Sequence, residues 1–190
     1  MNVTLKLNKS VTSIPELSRA IDAFEAIDEI YRLMKSGNSI NPDSKIDFRK
    51  KPFKDIKGGE LEKFNVTSPP EITVNADNLW IAALLYILKD YSNTKKNIIE
   101  ASKDSKYLAT ILKNIGEEEY LKASISAKLF AGRISEISEN NKKWLIKKLE
   151  SAERILHKDN IMTISTDGEE NESSEKSNST EGEQDESHNK

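Results

Sequence analysis

Four carboxylates stand close together near the start of the chain: Asp22, Glu25, Asp28 and Glu29. Three of them, Asp22, Glu25 and Glu29, follow at spacings of three and four, so they share one face of any helix formed there. Carboxylates so placed can hold two metal ions, but such sites also use a Glu-x-x-His on a partner helix. The chain contains no Glu-x-x-His. The acids also lie opposite the apolar positions Leu17, Ile21 and Phe24, with Arg19 and Arg32 at hand. They are expected to face water as a solvated helix face.

The other chemistry-bearing residues are sparse. His157 closes an apolar-periodic stretch beside Lys158, and His188 sits in a polar tail, so no triad and no histidine metal site can be assembled. There is no cysteine, which removes thiol nucleophiles, disulfides and thiolate zinc sites. Gly-x-Ser-x-Gly, the Gly-x-x-x-x-Gly-Lys phosphate loop, Gly-x-Gly-x-x-Gly and His-Glu-x-x-His are all absent. No catalytic residues, metal ligands or cofactor are assigned, and the chain is not expected to be an enzyme.

Two basic clusters remain. Residues 45–57 carry Lys45, Arg49, Lys50, Lys51, Lys54 and Lys57 with only Asp47 and Asp55 against them, and Phe48 and Phe53 are interleaved. Cations on phosphates and aromatic faces under bases are how single-stranded nucleic acid is commonly held. The plainer reading is a solvated loop anchored by two core phenylalanines. Lys142, Lys143, Lys147 and Lys148 form the second cluster, away from Leu145 and Leu149, with Glu139, Glu150 and Glu153 within pairing distance along a helix.

Residues 79–88 are apolar apart from the Tyr86 hydroxyl. A membrane-spanning helix needs about 20 apolar residues, so this run is too short to cross. It reads as a central buried helix. The other readings are an interface carried by Trp80, Leu84 and Tyr91, or a peripheral membrane contact through residues 79–91.

The elements that must position these groups follow from periodicity. Val3, Leu5 and Leu7 alternate with polar residues, as a half-buried strand does. Ser13-Ile14-Pro15-Glu16 resembles a capping box. The stripe Leu17, Ile21, Phe24, Ile27, Tyr31 and Met34 predicts a helix over 14–36, ended by Gly37. Short strands are expected near 46–49 and across 63–75, the latter divided by Pro69-Pro70. Asp77 caps the apolar helix. A further helix is stopped by Gly116, and the next opens on Glu117–Glu119 with Leu121, Ile125, Leu129, Phe130, Ile134 and Ile137 inward. A last helix covers 141–157, and residues 161–165 form a terminal strand that should pair with 2–7. The expected class is α+β: a small, mostly antiparallel sheet with four to five amphipathic helices.

Composition divides the chain. Residues 166–190 have no apolar side chain larger than glycine and hold nine acids and two lysines, a net −7. The whole chain is at −3, so residues 1–165 carry +4. The expectation is one globular domain over 1–165 and a disordered acidic tail over 166–190, because nothing in the tail offsets the entropy of ordering it. Collagen-like, disulfide-scaffold and polytopic membrane classes are excluded. The first residues do not form a signal peptide, so the cytoplasm is the expected compartment. Lysine, isoleucine and asparagine, all with AT-rich codons, number 24, 21 and 16, which suits a bacterial or phage gene. The leading functional expectation is a non-catalytic accessory protein that presents a helical surface to a protein partner or to itself. The alternative is a nucleic-acid-binding protein using residues 45–57 and the 142–148 lysines.

Overall fold

A computed structural model describes residues 1–7, 14–37, 46–65, 71–88, 99, 106–157 and 161–166. The fold is α+β. Four strands, β1 (Asn2–Leu7), β2 (Glu60–Asn65), β3 (Glu71–Asn75) and β4 (Ile161–Thr166), form one sheet in the order β2-β3-β1-β4. All three pairings are antiparallel. The expected partnership of the first and last strands is present, with Leu5 opposite Ile164. Thr166 pairs with Val3, so β4 includes the first residue of the stretch expected as tail. The rest of the acidic tail, the Ser13 cap and Tyr91 lie outside the described residues.

Helix α1 (Ile14–Lys35) lies against α2 (Asn78–Ile87) and α4 (Glu139–His157), while α3 (Lys106–Ile134) packs on α2 and on β4. Gly37 ends α1 with φ of 56°, the left-handed conformation that glycine adopts without a Cβ penalty. Asp77 caps α2: its Oδ1 accepts from Leu79 N at 3.0 Å and its Oδ2 from the Tyr31 hydroxyl at 3.0 Å. That second bond ties the cap to α1. Every residue from Trp80 to Ile87 is buried, so α2 is the central core helix. Phe24 and Trp80 meet at 6.2 Å between ring centroids, and Tyr86 meets Phe130 edge-on at 5.0 Å.

Gly116 interrupts α3 with φ 79° and ψ 162°, so the helix is two segments joined at a kink. The expected stop at this glycine is therefore real. The inward face of the second segment keeps the expected Phe130, Ile134 and Ile137 but differs at other positions. Tyr120, Ala123, Ser124, Ala127 and Phe130 are buried, while Ile125 and Leu129 are 46% and 64% exposed. Small residues at 123, 124 and 127 let the backbone approach α2 closely, and that contact outweighs the alignment of the larger aliphatics. Ile21 is displaced from the expected core in the same way, at 47% exposure. In α1 the inward face is filled by Ala20, Ala23, Ala26, Ile27 and Ile30.

The strand expected near 46–49 is absent. Phe48–Lys50 is a single 3-10 turn, capped by the Asp47 carboxylate accepting from Arg49 N. Its backbone partners come from α4. Asn141, 4% exposed, donates from Nδ2 to Ile46 O at 2.7 Å and accepts at Oδ1 from Phe48 N at 3.1 Å. One side-chain amide thus satisfies the groups that a neighbouring strand would have paired.

Candidate interaction surface

The basic stretch is built into the fold through its own ion pairs. Lys51 Nζ lies 2.5 Å from Glu25 Oε1 and 3.3 Å from Glu29 Oε1. Lys148 reaches the other Glu29 oxygen at 3.0 Å. Glu29, expected to face water, is a half-buried clasp with 13% side-chain exposure, and it joins α1 to both the 46–57 segment and α4. Lys148 correspondingly leaves the solvated face and lies 5.9 Å from the Trp144 ring centre. Asp28 pairs with Arg32 at 2.8 Å and accepts from Gly59 N at 2.8 Å.

These contacts set the titration behaviour. The hydrogen bond from Lys51 holds the Glu25 carboxyl below its ordinary 4.5, and the two glutamates raise the Lys51 ammonium in return. Arg49 likewise lowers Asp47. Burial is the main cause of the raised Tyr31 hydroxyl. Such shifts accompany structural ion pairs as readily as catalysis.

Of the polyanion candidates, Lys51, Arg49, Lys57 and Lys142 are each within ion-pair distance of a carboxylate: Glu25, Asp47, Glu60 and Glu139 respectively. Lys50, Lys54, Lys143 and Lys147 are exposed, and Lys45 lies outside the described residues. Phe48 is 2% exposed and packs edge-on against Trp144 at 5.9 Å, so it offers no face to a base. Among the interface candidates, Trp80 and Leu84 are each 1% exposed. The packing expected from a partner there is supplied from within the chain. Among the described residues no helix is long and apolar enough to cross a membrane, and no group of His, Asp or Glu is arranged to hold a metal ion.

An open apolar groove lies elsewhere, at the mouth between α1 and β2. A groove of about 290 Å³ is lined by Ile21 and Phe24 of α1, Leu61 and Phe64 of β2, and Ile72 and Val74 of β3, with Trp80 at its floor. Leu61 is 65% exposed and Phe64 39%. Their shared face has a local cause. In a regular strand, residues three apart point to opposite faces. Here Leu61 opposes Val74 and Lys63 opposes Thr73, so Glu62 is an extra residue in β2. The bulge turns Phe64 back to the side of Leu61, opposite Ile72.

The glycines at 58 and 59 hold the start of β2 close to the core. A Cβ on Gly59 would lie 2.6 Å from Val74 Cγ1 and 3.2 Å from the Trp80 ring. Beyond them β2 is an outer strand of the sheet, so one side of its backbone has no strand beside it among the described residues. Sequence reasoning missed this surface, because neither the bulge nor the order of the strands is carried by local periodicity. No protein-family model, no curated protein and no solved structure matches the chain.

Proposed function

We propose that this is a non-catalytic interaction protein that engages another polypeptide at the groove between α1 and β2. The observation that supports this reading is the coincidence of three features at one place. Leu61, Phe64 and Ile21 are exposed apolar side chains, they line one groove, and that groove runs beside an outer strand. An added strand would pair with the outer side of β2, which has no strand beside it among the described residues, while its alternate side chains enter the groove. Exposed apolar surface along a sheet edge promotes aggregation unless it is covered or used.

The surface differs from the helical one expected at Trp80 and Leu84, but the class of function is the same. The reading is tested by placing a photo-crosslinking amino acid at position 64 and irradiating cells that express the full chain. Covalent adducts to a polypeptide are expected from position 64 and not from position 113, an exposed site on α3 remote in sequence. An absence of adducts at 64, or equal labelling at both positions, would count against it.

A further inference from the structure

The sequence of β2, Glu60-Leu61-Glu62-Lys63-Phe64-Asn65, is complementary to itself when reversed. We propose that the occupant of the β2 edge is a second copy of this chain, paired strand to strand about a two-fold axis that passes between Glu62 and Lys63. The proposal rests on the reading of the groove edge as an interaction surface and names its partner.

The geometry requires the bulge. When two identical regular strands pair antiparallel about a two-fold axis, both members of each opposing pair must point to the same face of the sheet, so residues an even number apart oppose each other. Leu61 and Phe64 are three apart and would be excluded. The extra residue shifts the alternation by one and places both on the groove face. Leu61 can then oppose Phe64 of the second copy, and Phe64 can oppose Leu61, which gives two apolar cross-strand pairs on one face.

The charges follow the same symmetry. Thr73, opposite the bulge, lies between Ile72 and Val74 and so faces away from the groove. Glu62 and Lys63 take that outer side. Around the axis Glu62 meets Lys63 of the second copy, and Lys63 meets its Glu62. Charged residues and bulges on an edge strand ordinarily repel foreign strands. A foreign strand must bring a base and an acid in matching order, and a second copy does so by symmetry, as an isologous interface requires. Two four-stranded sheets would become one of eight strands, with a continuous apolar inner side bordered by Ile21.

The experiment is sedimentation velocity on the purified full chain across a dilution series, with circular dichroism melts as the folding control. The expected result is a dimer that dissociates on dilution. Glu62→Lys alone, or Lys63→Glu alone, sets like charges opposite each other at both symmetric positions and should weaken association about tenfold or more. The double variant Glu62→Lys/Lys63→Glu restores complementary pairs and should recover the dimer. An equimolar mixture of the two single variants should form a heterodimer. These exposed positions leave the melts near wild type. A wild-type chain that is monomeric throughout, or a dimer indifferent to either single reversal, would overturn the proposal. In either case, adducts from position 64 to a different polypeptide would leave the proposed function standing.

Discussion

Replacing Leu84 with aspartate is expected to leave no folded domain. Leu84 is 1% exposed in the middle of α2, a helix buried on every side between α1 and α3. The residues from Trp80 to Ile87 are all buried and none carries a charge, so α2 itself offers a carboxylate there no cation. An unpaired buried charge costs several kcal/mol, against a total stability of about 5–15 kcal/mol for a domain. Circular dichroism should show no cooperative melt. Leu84→Met, which preserves volume, should cost less than about 1.5 kcal/mol. A native-like melt for the aspartate variant would mean that α2 is not the core.

Asn141→Ala is expected to cost about 2–6 kcal/mol, because Ile46 O and Phe48 N lose their partner together and each group left unpaired away from water costs about 1–3 kcal/mol. The damage should be local before it is global. Phe48 packs on Trp144, so release of the 46–50 turn should redden tryptophan emission at denaturant concentrations where the helical signal still persists. A shift of the unfolding midpoint too small to resolve would show that the amide does not hold this segment.

Much of the framework was legible because it rests on local signals. Alternation in residues 2–7, the Asp77 cap, Gly37 and Gly116 each act within one turn of chain, and the structure keeps all of them. The departures have non-local causes. Ile46-Asp47-Phe48 reads as a strand until Asn141, distant in sequence, takes its backbone groups. Ile125 and Leu129 read as core until the smaller face of Ala123 and Ala127 proves the better fit to α2. Glu29 reads as a surface acid until Lys51 and Lys148 close over it.

The candidate surface was the least legible part. Residues 63–75 read as strand, but Leu61 falls before that stretch and carries no periodic signal. Only the bulge at Glu62 brings Leu61 and Phe64 together, and only the strand order exposes them. The basic clusters were conspicuous in the sequence for the opposite reason. Charge runs are visible without a structure, whereas the acids that engage Lys51 and Lys148 come from α1, far off in sequence.

Amide hydrogen exchange of residues 60–65, followed at low and high concentrations of the full chain, tests the central claim most directly. Association through the β2 edge leaves that edge open to solvent in the dilute protein and pairs it in the concentrated one. The expected result is slower exchange at high concentration, confined to β2 and the adjoining groove residues, with α2 and β1 unchanged. Exchange in β2 that does not depend on concentration and is unchanged by Glu62→Lys would contradict association there.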